Sequence, residues 1–390
     1  MKVALIVPGG VDRSGEYRVI PCLLWLIERL ASRVELHVFA LNQEPRPCRY
    51  ELLGAMVHNV GARPRRARLF TMLLSEHRRR PFHLLHAVWA AQGAIAAVVG
   101  RLLGIPVLLH LTGGDLAALP DIDYGLLLRR RGRVQLWLAV AGSAKVTVPS
   151  LAMQRSAASL GVRAERLVMG VALDRWPPLA PRARPADRPA RLVHVASLNR
   201  VKDQGTLLRA LHLVRERGLA FHLDVIGEDT LDGDVQRVAT ACGLSDVASF
   251  HGFLPHRLAR SLVERADLLV MSSRHEADPV ALLEGAVAGV PAVGTNVGHF
   301  VEWAPEAAVA VPVQDHGALA QGITELLQDD RKRLALAAAA QARALREDAD
   351  RGAARAMEFY LDLTEGQRRS QRRLAGGRSS TRPSDRGQVQ

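Results

Sequence analysis

Between Ser273 and Val293 the chain reads SRHEADPVALLEGAVAGVPAV, which puts Glu276 in a polar turn and Glu284 in the apolar segment after it. Asp278 and Pro279 lie between them. They are residue types that open a helix: a short acidic cap, then a proline at the first helical position. Free N–H groups at a helix start attract anions, and a phosphate fits there. Two carboxylates beside it would repel that anion unless they accept hydrogen bonds from neighbouring hydroxyls. A sugar joined to a diphosphate offers both partners.

Three more stretches follow short apolar runs, where parallel sheets hold ligands beyond the carboxyl ends of their strands. In ASLNRVKDQGTLLRAL, from Ala196, Arg200 and Lys202 precede a helix expected to begin near Asp203 or Gln204. Two cations and a helix start make a diphosphate site. In VPGGVDRSGE, from Val7, Gly9 and Gly10 let backbone approach a ligand, and Ser14, Gly15 and Glu16 are expected to begin the next helix. The stretch lacks Gly-x-Gly-x-x-Gly and a ribose-binding acid, so a nicotinamide site has little support. In HLTGGDL, His110 and Thr112 share a strand face, Gly113-Gly114 turns the chain, and Asp115 is expected at the cleft edge. Each of these stretches alone is equally an ordinary turn or a solvated loop.

The elements that position them alternate β and α throughout. KVALIVP, VELHVFAL, HLLHAVW, PVLLHLT and KVTVPS read as buried strands in the first half, and RLVHVASL, FHLDVIG, ASFHGF, DLLVMSS and PAVGT in the second. Helical segments such as EYRVIPCLLWLIERLA and DQGTLLRALHLVRERG separate them. This predicts an α/β protein of two doubly wound, Rossmann-like parallel-sheet domains facing across a cleft. The expected domains are an acceptor domain over 1–175 and a donor domain over 191–345, joined by a proline-rich linker over 176–190. A helix over 346–366 is expected to return to the first domain, with a disordered basic tail over 367–390.

Composition narrows the function classes. Of 390 residues, 48% are hydrophobic and 23% charged, as in ordinary globular proteins, and no apolar run is long enough to span a membrane. The N-terminus reads as a buried strand, which predicts a cytoplasmic protein. Three scattered cysteines form no disulfide framework, and the histidines show no metal-ligand spacing. The net charge of +13 is partly a tail effect, since seven arginines and one aspartate lie between Gln367 and Gln390. The clusters RPRRAR, HRRRP and RRRGR in the first half are either solvated arginine faces or contacts for anionic lipid or acidic polymers. Aromatic residues are 4% and do not interleave with these clusters, which argues against nucleic acid.

The ordered motifs resemble family-4 retaining glycosyltransferases (glycosyl transferase group 1), which have the GT-B fold. Glu276, Glu284, Ala286, Gly289 and Pro291 fit the family's E-x7-E element and its following helix end. SLNRVKDQGTLLRAL, GVALDRW, FHGFLPH and GHFVEW add to the match, which covers roughly residues 1–363. The resemblance implies transfer of a hexose from a UDP- or GDP-sugar to a glycan, lipid-linked or small-molecule acceptor. It implies retention of configuration, front-face attack assisted by the departing phosphate, and neither cofactor nor metal. Lys202 would meet the diphosphate, Glu284 the ribose, Glu276 the transferred sugar, and Gly252-Phe253 the base. Gly9, Gly10, Ser197, Arg200 and Val280 complete the implied donor shell, with His110 and Asp115 beside Glu276 as catalytic candidates. The basic clusters of the first half and the basic tail add to the cytoplasmic location an expectation of peripheral contact at the inner membrane face.

The chain departs from the family pattern in four places. Ser197 stands where an arginine is usual, Ala277-Asp278-Pro279 replaces Gly-Phe-Gly, Thr112 replaces a histidine and His299 a glycine. Arg200 and His110 are the nearest substitutes. The departures keep two alternatives open: an inactive GT-B-like binding or assembly partner, and a nucleotide-sugar epimerase or a phosphorylase on the same fold. A pyridoxal-dependent phosphorylase lacks support, because Lys202 and Lys332 are the second half's lysines and neither follows a suitable motif.

Overall fold

Apolar runs bounded by turn residues form the buried strands of two sheets. The computed structural model describes residues 1–185 and 187–377. The first sheet has eight strands, in spatial order Cys48–Leu52, Ala55–Asn59, Glu35–Ala40, Lys2–Val7, Leu84–Val88, Val107–His110, Lys145–Val148 and Glu165–Arg166. All its neighbours are parallel except Cys48–Leu52, which pairs antiparallel with Ala55–Asn59. That hairpin is absent from the sequence expectation because its strands mix Arg, Glu, His and Asn into short polar segments rather than apolar runs.

The second sheet is wholly parallel, in the order Ala248–Phe250, Phe221–Ile226, Ala190–Val195, Leu268–Met271, Ala292–Thr295, Val309–Val311. Numbered within the sheet by chain order this is 3-2-1-4-5-6, the Rossmann arrangement. The order reverses between Ala190–Val195 and Leu268–Met271, so the crevice beyond those two carboxyl ends is where a ligand binds. The loops that open there carry Lys202 and Glu276.

Two element boundaries differ from expectation. The first long helix starts at Pro21, not near Ser14. The Ser14 hydroxyl accepts the N–H groups of Glu16 and Tyr17, and Gly15 and Arg18 have positive φ, so residues 12–18 fold as a turn. The last helix, Ala349–Gly377, continues past Gly366, since Gln, Arg, Leu and Ala favour helix up to the Gly376-Gly377 stop. The tail expectation for 378–390 lies outside the described residues. This helix packs on the first domain, where the Tyr360 hydroxyl meets His86 Nδ1 at 2.8 Å. Among the described residues, no helix is long and apolar enough to cross a membrane.

Candidate functional site

The loop after Ala190–Val195 is built from buried polar contacts. His194 Nδ1 donates to the Val270 carbonyl at 2.8 Å, which leaves Nε2 to accept from Gln204 at 3.2 Å. Burial pushes His194 down to about 4, so the ring is neutral. Gln204 also donates to the Ser197 carbonyl at 3.1 Å, folding the loop back on its own helix. That helix runs Gln204–Glu216, and Asp203, at φ +47, caps Thr206. The neighbouring loop is stitched on by Ser272 Oγ to the Lys202 carbonyl (2.9 Å) and by Arg274 N to the Val201 carbonyl (2.7 Å).

These contacts bring Lys202 Nζ to 2.5 Å from Glu276 Oε1, the oxygen that also accepts from Ser273 Oγ at 2.6 Å. A Cβ on Gly298 would stand 2.8 Å from that of Glu276, so only glycine lets this turn pass behind the carboxylate.

The helix after Glu276 is Val280–Val287, one residue later than the cap pattern predicts. Pro279 takes the cap position, and the Asp278 carboxylate turns instead to His299 Nε2 at 2.9 Å. The N–H groups of Val280 and Ala281 have no hydrogen-bond partner among the described residues. Glu284, buried in the next turn, accepts from His256 Nε2 at 2.6 Å. His256 packs its ring against Trp25 and Trp176, at 5.4 and 4.8 Å between centroids. The sequence expectation gives His256 no role; its only signal is its place at the end of FHGFLPH, ahead of the helix His256–Arg265.

A cleft cavity of ≈ 440 Å³ lies between the two domains. It is lined by Ser197, Lys202, Glu276, Val280, Glu284 and Phe253, together with Glu16, Ile20 and Asp278. Gly9, Gly10, Arg200 and Gly252 do not line it. Gly10, at φ +79, makes room for the Ile20 side chain, which a Cβ would meet at 2.6 Å, and Ile20 reaches the cavity. Gly252, at φ +64, turns the chain so that Phe253 faces Tyr17 of the first domain across the mouth, with centroids 5.7 Å apart. Arg200 is exposed, so the structure does not use it in place of the arginine missing at Ser197.

A second cavity of ≈ 190 Å³ adjoins the first and shares Ile20, Glu276, Asp278 and Val280 with it. His110 and Thr112 form part of its wall. The Thr147 hydroxyl donates to the Leu109 carbonyl, so it accepts from His110 Nδ1–H at 3.0 Å. His110 Nε2 is thereby left as a bare acceptor, and burial holds the ring down at about 4. Asp115 is not at the cleft edge. It is buried, and its Oδ2 accepts the N–H groups of Ala90 (3.0 Å) and Thr112 (3.2 Å). Burial pushes it up to about 7 against those two bonds. Asp115 therefore holds a loop and a helix start and touches neither cavity.

The cleft is bridged by the Arg274–Asp121 ion pair and by His275 Nε2 to the carbonyl of Gly113, a residue of the smaller cavity's wall, at 2.8 Å. Elsewhere, His37, His58 and Glu76 place possible metal ligands together. There the Lys2 ammonium already sits 2.9 Å from Glu76, and Arg49 and Arg79 lie close, so the cluster reads as an ion pair and a His–His hydrogen bond.

Family models match both halves: "Glycosyl transferase 4-like domain" over residues 19–172 and "Glycosyl transferases group 1" over 180–343. The "Putative colanic acid biosynthesis glycosyltransferase WcaL" of Escherichia coli is 30% identical over 176 residues, 43% of each chain. Glycogen synthase of Mycobacterium tuberculosis is 27% identical over 256 residues, 64% of this chain and 61% of that one. The matches thus span about half of these curated relatives. Among solved structures, sucrose-phosphate synthase of Thermosynechococcus elongatus superposes with TM-score 0.76 at 18% identity, covering 94% of this chain and 100% of that one. Anabaena HepE, solved with UDP-glucose, gives 0.72 at 18% identity, covering 92% and 100%. At such identity the superpositions establish the fold, and the two family models cover most of the sequence. The chain belongs to the group 1 glycosyltransferases and has their GT-B fold.

Proposed function

We propose that the protein transfers a hexose from a UDP- or GDP-linked sugar to a glycan, lipid-linked or small-molecule acceptor in polysaccharide biosynthesis. The observation that carries this is the Lys202–Glu276 pair beside the partnerless N–H groups of Val280 and Ala281, at the switch point of a Rossmann sheet. The ammonium and the helix start receive the diphosphate. Glu284, held by His256, accepts the ribose hydroxyls, and the base lies toward Phe253. Glu276 accepts from hydroxyls of the transferred sugar once the diphosphate draws Lys202 away. The acceptor enters the smaller cavity, where the bare His110 Nε2 accepts a hydrogen bond from an acceptor hydroxyl other than the one that attacks. The leaving phosphate takes the acceptor's proton on the same face, so configuration is retained and no metal is required.

Incubation with UDP- and GDP-sugars and a chelator, followed by NMR, tests this with water as the acceptor. Slow release of nucleotide and of sugar with retained configuration supports the reading. Inverted product contradicts retention, and dependence on metal contradicts the charge account.

A second reading is favoured by one feature. Among the described residues, Lys202 is the only lysine or arginine lining the cavity that holds Glu276 and Glu284, against carboxylates at residues 16, 276, 278 and 284. That balance suits an inactive binding partner. Folded protein that binds no nucleotide would select it.

A further inference from the structure

The helices Ala90–Leu103 and Arg130–Ala141 lie side by side in the first domain. Small residues bring them together: a Cβ on Gly93 would stand 3.0 Å from that of Ala139. Their outer faces are apolar. Val134, Trp137 and Ala141 fall on one helical stripe with Leu138 beside it; a Cβ on Gly142 would meet that of Ala97, which sets exposed Val98 level with the end of this stripe and Leu102 one turn farther along the neighbouring helix. Trp137 is 67% exposed and Leu102 62%. A helix facing water ordinarily shows the opposite pattern.

The charges around this patch have one sign. Neither helix contains an aspartate or glutamate. Arg130 and Arg131 at one end and Arg101 at the other are exposed and have no hydrogen-bond or ion-pair partner among the described residues. Arg129 and Arg133, by contrast, are bound to Asp123 and to the Leu127 carbonyl.

We propose that this face docks on an anionic lipid bilayer. Trp137 and Leu102 enter the headgroup boundary, and Arg101, Arg130 and Arg131 pair with lipid phosphates. An indole at an interface suits a surface that is apolar on one side and wet on the other. A second copy of the same face would set arginines of one copy against arginines of the other, with no carboxylate on either helix to pair them, which disfavours a symmetric dimer there. The chain that enters the patch at its Arg130 end comes from the cleft. The helix Arg130–Ala141 follows directly on the segment whose Gly113 and Asp121 touch His275 and Arg274. Docking would therefore hold the acceptor side of the cleft near the membrane. That last consequence rests on the proposed transferase reading; bilayer binding itself does not.

The test is co-sedimentation of the full chain with phosphatidylglycerol/phosphatidylcholine vesicles and with phosphatidylcholine alone. The native chain should bind the anionic vesicles and leave the neutral ones. Each arginine neutralised should weaken partition roughly fivefold, so Arg130→Gln with Arg131→Gln should cost about 25-fold. Trp137→Ser should also release the chain. All three positions are exposed, so circular dichroism melts should match the native chain. Any of three results overturns the proposal: a native chain that stays in the supernatant, variants that bind as it does, or a dimer in sedimentation equilibrium that Trp137→Ser dissolves. Nucleotide binding, measured on the same variants, should not change, which keeps failure here distinct from failure of the transferase reading.

Discussion

Asp278 and His299 form an ion pair enclosed in the second domain, with His299 Nε2 2.9 Å from Asp278 Oδ1. His299 Nδ1 lies 2.7 Å from Glu302, so both ring nitrogens face carboxylate oxygens and both carry protons. Burial alone would push the imidazole down, but the two carboxylates outweigh it and raise the pKa to about 9. Glu302 also accepts from Arg166 of the first domain at 3.1 Å, and Arg166 binds Glu347 at the start of the returning chain. A continuous polar chain thus joins the cavity wall to the crossing between domains. It explains how a carboxylate at Asp278 is tolerated beside a helix start that awaits an anion.

Stability should fall as this histidine loses its proton. Its folded pKa lies above the ordinary 6.5, so its contribution is complete below 6.5 and lost as pH rises through about 9. The loss is on the order of 3 kcal/mol at about 1.36 kcal/mol per pKa unit. Thermal unfolding across that window should show a falling Tm in the native chain. His299→Gln should start lower and give a flatter profile.

Asp278 should sense the transferred sugar and not the nucleotide. Its second oxygen has no partner among the described residues, and the residue lines both cavities. A hydrogen bond to a charged group is worth roughly 1.5–3 kcal/mol, so Asp278→Asn should lower kcat/KM for the sugar donor by about 10- to 100-fold. The Kd of the free nucleotide should hold or tighten, because one negative charge has gone. Equal losses in both would place Asp278 on the nucleotide instead.

Glu276→Gln should separate binding from turnover. It frees Lys202 from its 2.5 Å partner, so nucleoside diphosphate should bind at least as tightly as to the native chain. Transfer should fall, because the amide no longer accepts as a charge. Titration calorimetry beside a turnover assay reads the two effects.

His110 should matter through its bare Nε2. Thr147→Val removes the acceptor that fixes the tautomer, and His110→Phe removes the nitrogen. Each should lower transfer by about tenfold, the worth of one hydrogen bond of roughly 1–1.5 kcal/mol, with nucleotide Kd unchanged. Partial recovery in His110→Gln would show that an acceptor is what the site needs.

The residues legible in sequence are those whose geometry is local. Glu276 and Glu284 flank one helix start by spacing alone, and Lys202 precedes another, so the Rossmann pattern already brings them to one crevice. What escapes a sequence reading depends on tertiary partners. Asp278 has the chemistry of a cap, yet His299, buried against it from a later turn, takes its carboxylate. Asp115 follows a diglycine turn that does point at the cleft, but the N–H groups of Ala90 and Thr112 draw its side chain inward. Arg200 shares a loop with Lys202 and still faces solvent, because loop sequence does not fix side-chain direction.

If the Lys202, Glu276 and Glu284 cluster holds a nucleoside diphosphate, thermal shift against UDP, GDP and ADP with a chelator is the most direct test of it. One nucleotide class should stabilise the native chain by ~2.7 kcal/mol at a hundredfold excess over Kd. That shift should vanish in Lys202→Ala and Glu284→Ala. A well-folded native chain that none of the three nucleotides stabilises would contradict the account.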